Sequence, residues 1–178
     1  MSSPIIDLWE SVPGEWFFLS AKSPTRWLDV PFKRDDFAKV RSFIKDNLDK
    51  DLYFCPHGFD FPRRKAAHAA QLQCLWADLD EVDPENLSIK PTLAIESSPG
   101  RFAGVWLMRH PLTDNELNRK LTYAIGADKG GWDLTQVLRV PNTINYKYKA
   151  LPKTRLLWFD KSFQYSPVDI ARIAPSID

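Results

Sequence analysis

The sequence predicts an α+β fold, with helices packed on a largely antiparallel sheet. Three observations carry this reading. Apolar runs of strand length are bounded by Pro, Gly and Ser; only a few segments repeat apolar residues at helical spacing; and the two kinds of segment do not alternate as a parallel sheet requires. The 178 residues suit a single domain, 1–178, and seven Trp and eleven Phe supply a sizeable core.

Along the chain, Gly14 to Lys22 (GEWFFLSAK) reads as a strand, followed by a loop around Pro24 and Pro31. Phe37, Val40, Ile44 and Leu48 recur at helical spacing, so Asp35 to about Leu48 is expected to be an amphipathic helix with an acidic start. Asp51 to Pro56 (DLYFCP) reads as a strand, and Phe61 to Gln71 as a basic loop or short helical turn. Leu72 to Asp80 (LQCLWADLD) is an apolar strand that ends in carboxylates. Pro91 to Ser98 and Arg101 to Met108 are two further strands, with a Ser-Pro-Gly turn signal between them. Thr113 and Glu116 have the spacing of a capping box ahead of Leu117, Leu121 and Ile125, a second helix. Thr143 to Tyr148 and Thr154 to Asp160 read as late strands, and Ser166 with Pro167 opens a short terminal helix.

No run reaches the roughly eighteen apolar residues of a membrane span, and the first residues lack the basic flank and apolar stretch of a signal peptide. A cytoplasmic protein without a membrane partner is expected. Cys55 and Cys74 stand apart from any metal-ligand spacing and read as reduced, buried packing residues. His57 and His68 have no partner at ligand spacing and read as surface or packing residues. Trp76, Trp106 and Trp132 read chiefly as packing residues.

Net charge is +1, which excludes binding of nucleic acid through bulk basicity alone. The average hides a segregation. Ala66 to Ile89 holds no Lys or Arg and ends in Asp78, Asp80, Glu81, Asp83 and Glu85, whereas Arg139 to Arg155 holds five cations and no carboxylate. Arg63, Arg64 and Lys65 form a second basic cluster. This pattern suits a bound cation next to a polyanion, and equally an unmixed solvated surface.

In a strand, side chains at i and i+2 share a side, so Asp78 and Asp80 are expected to project together. Two carboxylates that close repel one another unless a cation lies between them. Hard divalent ions bind one or two carboxylates together with substrate phosphates. By itself an Asp-x-Asp is more often the solvated start of a loop.

Three segments in order narrow the choice: the strand ending at Asp78 and Asp80, then IESSPGRFAGVW, then GGWDLTQVLRVPNTINYK. This series resembles the archaeo-eukaryotic primase superfamily, in particular the primase-polymerase domains of plasmid and phage replication proteins. The resemblance covers at least Leu52 to Phe159 and implies the catalytic core of that superfamily, with an RRM-like sheet. It further implies that Asp78, Asp80 and Asp133 hold two Mg²⁺ or Mn²⁺ ions for nucleotidyl transfer. Ser97, Ser98 and Arg101 would contact the phosphates of an NTP or dNTP, with Arg139, Asn145 and Lys147 lining the nucleotide or template side. Arg63, Arg64 and Lys65 would track a single-stranded DNA template, although ordinary surface charge explains any one of these cations as well. The resemblance places such a domain in a bacterial or phage-infected cell, commonly joined to a helical accessory region or a helicase in a longer replication protein.

One residue departs from the family pattern. The second motif normally carries a histidine that touches the triphosphate, and Ala103 stands at the matching position; His110 lies beyond the strand. Three explanations stay open: a natural branch relying on Ser98 and Arg101, an engineered or degenerate site, or a domain that binds template with little synthesis. With all three aspartates intact, catalysis with reduced nucleotide affinity is favoured. Two other functions stand beside it. One is a non-catalytic single-strand-binding module. The other, ranked lower, is a rolling-circle nicking initiator with Tyr146 or Tyr148 as nucleophile, for which the His-x-His metal pair is missing.

Overall fold

The structure, a computed structural model, describes residues 3–173. It is an α+β fold whose strands divide between two antiparallel sheets rather than the one expected. The first sheet has the order β2 (Arg26–Lys33), β1 (Trp16–Ser23), β3 (Asp51–Phe54), β7 (Leu138–Arg139). The second has the order β4 (Cys74–Asp80), β6 (Arg101–Met108), β5 (Leu93–Ser98), β8 (Arg155–Phe159), and a two-residue β9 (Gln164–Tyr165) runs parallel to the end of β6. One buried cluster draws side chains from both sheets, including Phe17 and Leu19 of β1 and Leu75, Trp76, Ile95 and Trp106 of the second sheet. No helix among the described residues is long and apolar enough to cross a membrane.

Several local expectations change. The Pro24–Pro31 loop is largely strand β2, in which Pro31 pairs with Phe18. Because β2 is an edge strand, the missing Pro N–H need not break a ladder. A helix unread in the sequence, α1 (Pro4–Glu10), forms where Pro occupies the first turn and Ile5, Leu8 and Trp9 are buried. The helix expected from Asp35 is shorter: a 3₁₀ turn at Arg34–Asp36 precedes α2 (Ala38–Asp46). α3 (Glu116–Ile125) is not capped by Thr113. Its N-cap is Asn115, and the Asp114 carboxylate accepts from the Glu116 N–H at 2.9 Å. α4 (Pro167–Ala171) does start at Ser166, in a reciprocal capping box with Asp169.

Thr143 to Tyr148 is not a strand. It makes a single bridge, Ile144 to Lys153, because side chains take its N–H groups instead: that of Thr143 goes to Thr154 Oγ1, that of Tyr146 to Asp51 Oδ1 and that of Lys147 to Asn145 Oδ1. Thr154 Oγ1 accepts from the Thr143 N–H at 2.9 Å and donates to Val140 O at 2.7 Å, while Asn142 and Leu151 adopt left-handed backbone.

One close approach fixes the path into the first sheet. A Cβ added to Gly58 would lie 2.5 Å from Pro13 O and 2.8 Å from the Gly14 Cα. Gly58→Ala is therefore expected to destabilise the fold by about 1–3 kcal/mol in denaturant unfolding. An unchanged midpoint would contradict this packing.

Candidate functional site

The candidate site begins where β4 ends. Leu75, Trp76, Ala77 and Leu79 are buried, Asp78 is half-buried and Asp80 is exposed, so the run keeps its apolar side chains in the core while both carboxylates leave it. Asp78 pairs with Ala103 and Asp80 with Phe102, an irregularity that leaves Leu79 unpaired; Asp80 has φ 52 and its N–H donates to Asp78 Oδ1 at 3.2 Å. Such bulges re-aim side chains at sheet ends.

The turn between β5 and β6 forms the next wall. Gly100 has φ 77, a conformation open to glycine and costly for other residues, and nothing stands within 4 Å of where its Cβ would lie. Ser98 is buried, and Arg101 contacts the Asp80 carboxylate and lies 3.7 Å from Glu81. The third wall is the segment after β7. Asn145 donates from Nδ2 to Ser97 O at 2.8 Å and accepts the Lys147 N–H at 3.0 Å, which pins this segment to the serine turn. Arg139 donates to Asp51 Oδ1 at 2.6 Å and lies 4.9 Å from the Tyr53 ring centre. Asp78, Asp80, Ser97, Ser98, Arg101, Arg139, Asn145 and Lys147 thus line one cavity of about 180 Å³, together with Tyr53, Ala103 and Tyr148.

Asp133 does not line this cavity. It is exposed, and its carboxylate accepts from the Thr135 N–H and Oγ1, each at 3.0 Å. Its loop nevertheless packs beside Asp78: Asp128 N–H donates to Asp78 O at 2.9 Å, and a Cβ on Gly131 would lie 3.5 Å from the Asp78 backbone nitrogen. Among the described residues no three His, Cys, Asp or Glu side chains are gathered into a metal-binding group. Asp78 and Asp80 do fit a hard divalent ion whose shell is completed by phosphates and water. Burial raises the Asp78 pKa, and the nearby Asp128 and Asp80 carboxylates raise it further, so a cation there would relieve an unfavourable charge.

The basic loop separates its three cations. Arg63 and Lys65 are exposed. Arg64 is instead folded inward, pairing with Asp29 at 3.2 Å and donating from Nη1 to Thr135 O at 2.5 Å. His57 is fully buried, with Leu134 O 2.6 Å from Nε2 and Gly58 O 2.9 Å from Nδ1. Burial lowers its pKa, while the two carbonyls and the nearby Asp133 pull the other way. Arg64 and His57 therefore brace the loop that carries Asp133. Arg64→Ala is expected to cost about 1–3 kcal/mol of stability and to loosen Thr135. Faster amide hydrogen exchange at residues 133–136 is the measurement, and unchanged exchange would contradict the brace.

Cys55 and Cys74 are buried, and burial pushes the Cys55 thiol up to about 12, so both remain inert packing groups. Asp51, Tyr53, Asp29 and Asp128 carried no local sequence signal. They matter through partners 88, 86, 35 and 50 positions away: Asp51 and Tyr53 through Arg139, Asp29 through Arg64, and Asp128 through Asp78.

Comparison with solved structures shows the same fold. The archaeo-eukaryotic primase domain of the cyanophage S-2L primase-polymerase matches with a TM-score of 0.66 at 14% identity, covering 90% of each chain. The catalytic domain of primase RepB′, solved in complex with initiator DNA, matches with a TM-score of 0.67 at 14% identity, covering 97% of this chain and 92% of that one. A longer RepB′ primase chain matches equally well, and 59% of its length is covered. No curated protein sequence matches significantly. The sequence model of the RepB DNA-primase N-terminal domain matches residues 61–176, well over half of the chain and all three motif segments. The chain belongs to the RepB DNA-primase N-terminal domain family.

Proposed function

We propose that this chain catalyses template-dependent nucleotidyl transfer, as a DNA primase, a DNA polymerase or both, in replication of a plasmid or phage. The observation that carries the proposal is the meeting of three separate sequence segments in one cavity: the β4 carboxylates, the serine turn and the Arg139–Lys147 segment. Family membership supports the same reaction class. The DNA in the RepB′ complex supports a DNA partner.

Asp78, Asp80 and Asp133 would hold two Mg²⁺ or Mn²⁺ ions, which supply activation of a 3′-hydroxyl and stabilisation of the triphosphate during in-line transfer. Asp133 would join the pair by swinging its exposed side chain off the Thr135 N–H and hydroxyl, while the braced backbone around it stays in place. Arg101 lies against Asp80 at the cavity wall. It would turn to the phosphates of the incoming nucleotide, with the Ser97–Gly100 turn offering backbone N–H donors. Lys147 and Arg139 would complete the positive wall. Asn145 keeps the serine turn and Lys147 at fixed separation. Ala103 sits on the cavity floor opposite Asp78, so phosphate binding would rest on Ser98 and Arg101, with lowered nucleotide affinity.

The test is incorporation of labelled NTPs or dNTPs on single-stranded DNA, with and without a primer, in Mg²⁺ or Mn²⁺. Products that require template support the proposal and show whether chains are started and from which sugar. Absence of product with either ion and either sugar would contradict it. In that event a template-binding module is the better reading, and Asp133's position outside the cavity favours that alternative. The nicking reading loses ground because the Tyr146 hydroxyl donates to Leu48 O at 2.8 Å.

A further inference from the structure

A second groove, of about 630 Å³, opens beside the candidate site and shares Tyr53, Arg139 and Lys147 with it. Lys22, Lys50 and Tyr146 form the rest of its working surface. The register of the first sheet explains the arrangement. Ser20 and Lys22 alternate onto one face of β1; Tyr53 pairs with Ser20, and Arg139 with Tyr53, so the aromatic and basic residues form adjoining rows.

Charge accounting favours an anionic occupant. The groove's two carboxylates are already engaged: Asp51 by Arg139 and the Tyr146 N–H, and Asp49 by Lys50 at 3.1 Å. Lys22 and Lys147 make no ion pair among the described residues. Aromatic surface accompanies the charge. Tyr146, in the groove lining, is 39% exposed; Trp27, outside the lining but the cross-strand partner of Lys22 at the groove's edge, is 43% exposed. Trp27 stacks on Tyr53 at 5.3 Å, and its indole N–H is fixed by Asp29 at 2.9 Å. Unpaired lysines beside held, exposed aromatic rings match what a single nucleic-acid strand requires: phosphates on cations and bases on flat faces.

We infer that this groove binds single-stranded DNA and delivers it to the Asp78 cavity. Bases stack on Trp27 and Tyr146, and phosphates pass Lys22 and Lys147. This assigns strand binding to a surface other than the Arg63–Lys65 loop. Its delivery role rests on the proposed nucleotidyl transfer, whereas the binding itself does not.

The experiment measures fluorescence anisotropy of a labelled oligothymidylate over a range of salt, using the whole chain, Lys22→Glu, Trp27→Ala and the control Arg63→Ala/Lys65→Ala. Lys22→Glu is expected to weaken binding about tenfold or more and to flatten the salt dependence, with an unchanged melting temperature. Trp27→Ala is expected to weaken binding about tenfold. Ultraviolet cross-linking of an iodouracil-substituted strand to the unmutated protein is expected to mark Trp27, Tyr53 or Tyr146. Unchanged affinity in Lys22→Glu, or cross-links confined to Phe61–His68, would overturn the inference. Because these readouts need no synthesis, an inactive protein that binds through the groove would refute the proposed reaction and leave this site standing.

Discussion

Asp78→Asn and Asp80→Asn are each expected to lower nucleotide incorporation by at least about a hundredfold while leaving the protein folded. Both carboxylates line the cavity at the end of a strand whose apolar residues are locked in the core, so substitution removes charge and leaves the strand in place. The stability of Asp78→Asn separates lost chemistry from lost folding. Burial raises the Asp78 pKa above its unfolded value, and the Asp128 and Asp80 charges add to the effect. A carboxyl shifted upward penalises the fold where it is ionised, and the penalty is relieved as pH falls through the folded pKa. At neutral pH Asp78→Asn should therefore melt at or above the temperature of the unmutated protein. An inactive variant that also melts well below it would point to a structural role instead.

The second large effect is expected at a residue outside the motifs. Asp51→Ala should cost about 2–4 kcal/mol of stability and weaken nucleotide binding as well. Asp51 and Arg139 are each only 12% exposed at their side chains, and the same Asp51 oxygen accepts from the Tyr146 N–H at 2.9 Å. Removing the carboxylate leaves a largely buried guanidinium uncompensated and frees the segment that carries Asn145 and Lys147. Denaturant unfolding gives the stability change, and equilibrium binding of a nucleoside triphosphate gives the functional one. Arg139→Met in the Asp51→Ala background should recover part of the stability but not the binding. Full loss of binding without loss of stability would show that Asp51 acts on the ligand directly.

The sequence made the site legible where the chemistry is local. The apolar strand ending in Asp-x-Asp, the Ser-Pro-Gly-Arg turn and the Arg139–Lys147 run each carry their own signal, and the fold brings them to one cavity. Long-range partnership was not legible. Arg64 reads as a surface cation because nothing near it announces Asp29 or Thr135, which lie 35 and 71 positions away. His57 likewise gives no sign that Leu134 O, 77 positions on, will take it into the core. The division into two sheets escaped for a related reason. β7 is two residues long, too short for periodicity, and Pro31 disguises an edge strand as a loop. Thr143 to Tyr148 has strand-like residues, but the side chains of Thr154, Asp51 and Asn145 take N–H groups that a ladder needs.

Asp133 remains the decisive residue, since the proposed chemistry needs its carboxylate to join a pair from which this structure keeps it apart. The most direct test is Mn²⁺ binding, followed by electron paramagnetic resonance, in the presence of a non-hydrolysable nucleoside triphosphate. It should compare the unmutated chain with Asp133→Asn and Asp78→Asn. Mn²⁺ is expected to bind in a nucleotide-dependent way, and both substitutions should weaken it by about tenfold or more. If Asp133→Asn binds Mn²⁺ and nucleotide as tightly as the unmutated protein, the three aspartates do not form one site, and the two-metal reading is contradicted.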